Sequence, residues 1–399
     1  MAQKTQQAKE KTPHAQPEPF PIPEKCIQID GSILEGGGQI LRNAAALAAI
    51  TGQTIHVDKI RAGRSKPGLR PQHLTGLRLI TELSGGALHG GAQNSCAVTL
   101  QPRALQCRHA VGDTATAGSC ALLAQAALPC LLYAAPDASR EPPGASTLEL
   151  RGGTDAAMAP SISYLQHVLL PTLRRLFGLT LDLQLHRRGF FPKGGGRAEL
   201  TVHSLEQGTP LQAINLTDRG DITSITVSVF QAGLMKPDVA QRMASAAEAT
   251  LQTRWQHPVE LHRSISLESK ERAVGNGAGI LLTAVTSAGR ILGASVSQER
   301  GRQPEEIGQQ AAEELVEDLQ TVACVDRWMQ DQLIIFMALA QGTSRMSCGE
   351  LSLHTRTAMC IAEKLTTAKF RVRKPKGDVQ HWIIECEGAV VTAQTAMAR

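Results

Sequence analysis

Aromatic residues are scarce: Phe, Trp and Tyr make up 3% of a chain whose hydrophobic content is 42%. Its apolar side chains are therefore mainly Ala, Leu, Ile and Val, which suits helices packed on sheets and argues against an all-β sandwich. The nine cysteines form no C-x-x-C pair, and no His-x-His ligand set accompanies them. Neither a zinc site nor a disulfide framework is indicated, and reduced thiols in an intracellular protein are the expectation. No stretch reaches the ~18 continuous apolar residues of a membrane helix; the most apolar one, residues 120–135, is interrupted by Gln125 and Pro129. No membrane partner is expected. Strong charge of one sign is also missing, since a net charge of +5 falls short of the basic stripe of a dedicated nucleic-acid binder. Residues 1–25 are polar and Pro-rich with no apolar segment, so they are expected to be a disordered tail and not a signal peptide, which leaves nucleus and cytoplasm open.

What is present is a repeated order of elements. The 399 residues allow two domains, or one large domain carrying an insertion. From Cys26 the pattern reads strand (CIQID), Gly-rich turn, helix (QILRNAAALAAI), strand (TIHVDKI), basic loop, helix (HLTGLRLITEL) and two strands near Ala87 and Ala97: βαβαββ. A second copy follows, with a strand near Arg108, a helix over 119–133, the strand TLELR, the loop GGTD, a helix over 162–177, and strands LTLDLQL and RAELTVH. A third has the helix WMQDQLIIFMALA, a segment ending ELSLH, the helix TAMCIAEKL, and strands FRVRK and HWIIECE. Gln39, Gln125 and Gln332 occupy comparable places in the three copies, and removing residues 206–322 equalises their spacing. The expected fold is thus α+β, with three βαβαββ repeats forming a large domain (26–205 and 323–399) and a smaller α+β domain (206–322) inserted between repeats two and three. In each copy an unusual loop leads into the second helix: RAGRSKPGLRPQH, RGGTDAAMAP and LSLHTRTA. Repeat symmetry would bring the three to one cleft, although each could also be an ordinary connection whose Gly and Pro serve the turn.

Several residues have chemistry to offer. Glu35 precedes three glycines and a helix start, an arrangement that either only opens the helix or leaves its first N–H groups free for an anion, with Arg42 one turn further on. It is neither G-x-G-x-x-G nor a Walker A loop. Lys59, Arg61, Arg64, Lys66 and Arg70 crowd one loop before Gln72 and His73, and must sit in solvent or meet phosphates. In HRRGFFPKGGGR, Phe190 and Phe191 could stack on bases beside Arg187, Arg188 and Lys193, or be core aromatics. His354 lies where a strand gives way to a helix beginning near Thr355; the positive end of the helix would keep its ring neutral, as a nucleophile toward the α-phosphorus of ATP requires. A structural role is the commoner fate of a single histidine. Trp328, Asp331 and Gln332 suit an adenine and ribose pocket, or an amphipathic helix start with a capping acid.

Together the segments IQIDGSILEGGGQILRNAAALAAITG, IRAGRSKPGLRPQHLTGL, TAGSCALLAQAALPC, RGGTDAAMAP, RRGFFPKGGG, DQLIIFMALAQGTSR and LSLHTRTA resemble those of the RNA 3′-terminal phosphate cyclases, over about residues 26–399. The resemblance implies βαβαββ repeats with an inserted domain, and an ATP-dependent conversion of an RNA 3′-phosphate to a 2′,3′-cyclic phosphate. The route would be a histidine–AMP adduct at His354, then an RNA-adenylylate, then attack by the ribose 2′-OH. It also implies nucleotide binding at Gln125, Pro160, Trp328, Asp331 and Gln332, where Trp328 replaces the family's usual tyrosine. Arg42, Arg61, Arg64 and Gln72 would meet phosphates or the RNA end, and Glu35 a magnesium or manganese ion. Two alternatives stand beside this reading: an inactive cyclase-like protein of ribosome assembly, a group that lacks the histidine, and an enolpyruvyl transferase, against which RAGRSKPG and SLHTRTA argue. RNA 3′ ends and ATP are the expected partners.

Overall fold

The computed structural model describes residues 22–139, 141–375 and 381–393, so most of the expected N-terminal tail lies outside the described residues. The chain is a mixed α+β structure. Its first sheet contains β1 (Ile27–Asp30), β2 (Ile55–Asp58), β3 (Ala87–His89) and β4 (Val98–Gln101), joined through α1 (Gly38–Thr51) and α2 (Pro71–Leu83). β1 and β2 are parallel, β2 and β4 antiparallel, and β3 closes the edge, giving the order β1-β2-β4-β3. The second sheet uses β5 (His109–Asp113), α3 (Cys120–Leu132), β6 (Ala145–Gly152), a helical run over 162–177, β7 (Leu181–Gly189) and β8 (Gly196–His203). Its order β5-β6-β8-β7 reproduces that of the first sheet, with the same parallel and antiparallel pairings.

The expected helix over 162–177 is not uniform. It consists of α4 (Ile162–Tyr164), a π-helical turn at Leu165–Leu169, and α5 (Leu170–Phe177). The Leu170 N–H reaches back five residues to the Leu165 carbonyl, and Pro171, which has no N–H to continue the ladder, follows at once.

A third sheet has the order β9-β15-β17-β16, and its first strand was not visible in the sequence. β9 (Asn215–Leu216) is two residues long and pairs in parallel with β15 (Thr343–Cys348), Asn215 opposite Arg345. Between them in the chain lies a separate sheet, β11-β10-β13-β14, built from β10 (Ile222–Ala232), β11 (Glu260–Glu268), β13 (Gly277–Thr286) and β14 (Ile291–Ser297). It is packed by α6 (Val239–Arg254) and α7 (Pro304–Gln320). β12 (Ala273–Val274) leaves this unit and becomes the fifth, edge strand of the second sheet, pairing with β7 at Arg188 and Gly189. The chain then continues through α8 (Met329–Gln332) and α9 (Ile334–Leu339), a division at Leu333 of the single expected helix, and through β15. It ends its described part with α10 (Leu353–Leu365), β16 (Lys369–Arg373) and β17 (Trp382–Glu387).

Two cores follow from this layout. α1 is buried over most of its surface, from Gln39 to Ile50, which explains its run of alanines: small side chains let it pack closely against α2, α3 and α10. One continuous core joins the three related sheets, and each fully buried Leu or Ile in it contributes about 1.5–3 kcal/mol. The 222–320 unit has its own, centred on Ile225, Val227, Met243, Leu282 and Leu315. A small third cluster, Phe190 with Phe230 and Ala232, sits at the seam between them.

Candidate active-site cleft

An open cleft of about 510 Å3 lies where loops of the three related sheets meet. The residues that the family resemblance assigns to a site all line it: Glu35, Arg42, Arg61, Arg64, Gln72, Gln125, Pro160, Trp328, Asp331, Gln332 and His354. So do Gly37 and Gly38, where a side chain is excluded. A Cβ on Gly37 would fall 2.2 Å from Oε1 of Glu35, and one on Gly38 would fall 2.8 Å from Nε2 of His73. Removing both side chains lets the Glu35 carboxylate fold over the start of α1 and lets His73, from α2, approach it.

The arginine loop supplies the first wall. Arg64 donates to Oε1 of Glu35 at 2.5 Å and to its carbonyl at 2.8 Å. Oε2 of Glu35 is buried with no hydrogen-bond partner. Arg61 holds a left-handed backbone (φ 55°), which costs a non-glycine residue about 1–2 kcal/mol, and its guanidinium bridges the loop to the carbonyls of Lys66 (2.6 Å) and Gly68 (3.3 Å). Gln72 accepts the Ser119 N–H at 2.8 Å, tying this loop to the start of α3 in the second sheet. His73 accepts the Arg70 N–H at Nδ1 (3.3 Å). Burial and the neighbouring Arg42, Arg61 and Arg70 push its pKa down to about 3, so the ring is neutral at physiological pH.

The three glutamines meet at the centre. Gln39 donates to Oδ2 of Asp331 at 2.8 Å and accepts from Arg42. Gln125 donates to Gln332 at 2.9 Å, and Gln332 to the Trp328 carbonyl at 2.7 Å. Burial raises the Asp331 carboxyl to about 7, against the pull of Arg42 and the Gln39 hydrogen bond. Burial likewise lowers the Arg42 guanidinium. Trp328 is half-buried with its indole N–H unpartnered, and Pro160 lines the cleft from the loop that follows β6.

His354 is in the first turn of α10, but the helix begins earlier than expected. Ser352 is the N-cap, its hydroxyl accepting the Thr355 N–H at 3.1 Å, so the free N–H groups of the first turn lie around His354 and not after it. The ring is exposed on the cleft wall, yet the crowding around it lowers its pKa. Partial burial is the main cause, Arg42 and Arg64 add to it, and Glu35 opposes them. A neutral imidazole is thereby favoured.

Three neighbours had not been singled out in the sequence. Met158 lines the cleft in a left-handed conformation and is 92% exposed. Arg327 also lines it, anchored by Asp318 and Glu317. Asp326 is buried behind Trp328. Its Oδ1 accepts the Tyr164 hydroxyl (2.7 Å) and the N–H groups of Trp328 and Met329 (both 2.9 Å), and its Oδ2 accepts the Gly293 N–H (2.8 Å). That one carboxylate holds the Trp328 turn to α4 and to β14. Of the aromatic pair, Phe190 is core, 6.0 Å from Phe230, while Phe191 is 85% exposed. Arg188 is buried in ion pairs with Asp155 and Glu268.

Among the described residues no group of three or more His, Cys, Asp or Glu could hold a metal by protein ligands alone, and no helix is long and apolar enough to cross a membrane.

Fold and cleft define an α+β protein with an open cleft rich in arginine and amide groups. The chain belongs to the RNA 3′-terminal phosphate cyclase family, whose family model matches residues 33–372. It is similar to the RNA 3′-terminal phosphate cyclase of Pyrobaculum aerophilum, 37% identical over 91% of this chain and 98% of that one. It is also similar to that of Drosophila melanogaster, 38% identical over 92% of this chain and 97% of the relative.

Proposed function

We propose that this protein uses ATP to convert an RNA 3′-terminal phosphate to a 2′,3′-cyclic phosphate, with His354 as the nucleophile. The observation that carries the proposal is that a histidine favoured in its neutral form, at a helix N-terminus, shares one cleft with four arginines and the Gln39–Asp331 and Gln125–Gln332 pairs. A ring nitrogen of His354 attacks the α-phosphorus of ATP; the N–P bond forms as the bond to pyrophosphate breaks. An oxygen of the RNA 3′-phosphate then attacks the same phosphorus and frees the histidine. The ribose 2′-hydroxyl attacks the activated 3′-phosphorus, loses its proton and expels AMP. The nucleotide would lie between Trp328 and Pro160, with Gln125, Asp331 and Gln332 about its sugar and base, and with Arg42, Arg61, Arg64 and Gln72 on its phosphates or the RNA end.

A divalent ion fits one feature of the cleft, the buried, unpartnered Oε2 of Glu35. With a single carboxylate on offer, such an ion would take its other ligands from phosphate and water, as magnesium does. Magnesium or manganese bound there would offset charge on the triphosphate and on departing pyrophosphate. We also read the three sheets of common order as copies of one βαβαββ unit, with the 222–320 unit inserted between β9 and α8. The protein's place would be the nucleus or cytoplasm.

Incubation with α-labelled ATP and a divalent salt tests the chemistry. Label held on the protein in an acid-labile bond, and lost in His354→Ala, is the expected result; an unlabelled wild-type protein would sink it, and would favour the inactive cyclase-like alternative.

A further inference from the structure

Among the described residues the three most exposed large hydrophobic side chains are Met158 (92%), Phe191 (85%) and Leu234 (83%), and the last two flank one seam. Met158 lines the cleft. The hairpin over residues 190–194 packs so tightly on the next loop that a Cβ at Gly194 would fall 2.1 Å from the Thr116 carbonyl oxygen; Gly118, two residues on, would place its own Cβ 3.3 Å from Cβ of Gln72 in the cleft wall. On its other side the hairpin meets the 222–320 unit. Phe190 N–H bonds the Val274 carbonyl, its ring covers Gly277, and the neighbouring Asn276 accepts the Leu234 N–H. Phe190 fills the seam and leaves Phe191 outside it, one backbone layer from the cleft.

An exposed aromatic needs a partner that offers flat apolar surface, and the charge around it selects which. Residues 186–197 carry Arg187, Arg188, Lys193 and Arg197 and no carboxylate. Arg188 is spent on Asp155 and Glu268, whereas Arg187 and Lys193 are exposed beside Phe191. A flat ring flanked by cations is what single-stranded nucleic acid requires, base against ring and phosphate against ammonium. The terminal phosphate would be held by the cleft, so a chain leaving past Gln72 and Gly118 would run over this hairpin.

We propose that Phe191 stacks on a base upstream of the RNA 3′ end while Lys193 meets the adjoining phosphate, making this hairpin the surface that distinguishes an RNA chain from a lone nucleotide. This rests on the RNA-end reading above, and it names the part of the substrate that reading leaves unplaced. The test is fluorescence anisotropy, without ATP, of a labelled oligoribonucleotide bearing a 3′-phosphate, alongside cyclisation kinetics with uridine 3′-monophosphate. Phe191→Ala is expected to weaken oligonucleotide binding about tenfold and to leave KM for the mononucleotide unchanged. Phe191→Trp should retain the affinity and Phe191→Leu should not, while Lys193→Ala should lower the salt slope by about one. Unchanged oligonucleotide affinity in Phe191→Ala overturns the proposal. So does recovery by Leu as full as by Trp, or a change of oligomeric state in sedimentation with RNA affinity intact, because these mark a protein contact. The ATP-labelling assay involves no RNA, so its failure in the wild type would reject the nucleotide chemistry while the anisotropy still reported on Phe191.

Discussion

The cleft and the 222–320 unit treat charge in opposite ways. In the cleft five resolved shifts run toward the neutral form: His354 and His73 are lowered, Arg42 and Arg61 are lowered, and Asp331 is raised, burial being the largest cause for each, while Arg327, held at the rim by Asp318 and Glu317, is raised instead. In the other unit the exposed pair Arg242–Glu305 moves toward its charged forms, Arg242 raised and Glu305 lowered by the hydrogen bond between them, and Arg263 is raised in the same way by Glu248. The overall balance differs as well. Residues 217–322 contain fourteen Asp and Glu against ten Lys and Arg in a chain of net charge +5. The cleft is therefore a place of unmet electrostatic demand, which a polyanion would satisfy, while the acidic unit has met its own demand with surface pairs and offers little to phosphate.

His354→Ala is expected to abolish protein–AMP formation altogether with no change in melting temperature, since the ring is exposed; residual label above background would contradict it. Arg42→Ala should lower the rate of label incorporation by about 10²–10³-fold, as loss of a preorganised cationic donor does, and a loss below fivefold would show that the cleft does not depend on that charge. Next is stability. The folded-state pKa of Asp331 is raised to about 7, so its ionised form is disfavoured by folding and the native state loses stability as pH rises from about 4 to 7. Asp331→Asn removes that penalty, and its melting temperature should gain on the wild type between pH 5 and pH 8, by the equivalent of about 1–3 kcal/mol; a gap that does not widen with pH argues against the raised carboxyl.

Smaller effects sharpen the contrast. The His354 pKa is lowered by burial, with Arg42 and Arg64 adding to it. The acid-side midpoint for loss of labelling should therefore fall below the ordinary imidazole value near 6.5, and a midpoint at or above 6.5 would mean an unperturbed ring. Smallest of all, Arg242→Ala removes a surface pair on the other unit and should leave label incorporation unchanged, with a melting shift at the edge of detection.

Much of this was legible in the sequence because the signals were local. The Gly-rich turn before α1, the arginine loop before α2 and the SLHTRTA segment each declare themselves by composition, and repeat order placed them together. What was hidden depends on partners far along the chain. β9 is too short to show a period, and only its pairing with residues some 130 positions later makes it a strand. β11, ELHRSISLE, is an edge strand exposed along nearly all its length, so no apolar alternation marks it. The bonds from Gln39 to Asp331 and from Tyr164 to Asp326 join distant residues, and single-chain periodicity carries no trace of them. Phe190 and Phe191 look alike as letters; which of them is buried was decided by Phe230, a residue of another unit.

The position of β9 also sets an order of events during synthesis. Asn215 and Leu216 emerge from the ribosome long before Thr343–Cys348, the strand they pair with, and the whole 222–320 unit comes between. Two of the three related sheets can close early, whereas the third must wait for the last strands of the chain. Since the cleft is walled by loops from all three, a nascent chain would carry its arginine loop well before it had the His354 helix to complete the site. Catalytic competence would thus arrive as one of the final acts of folding.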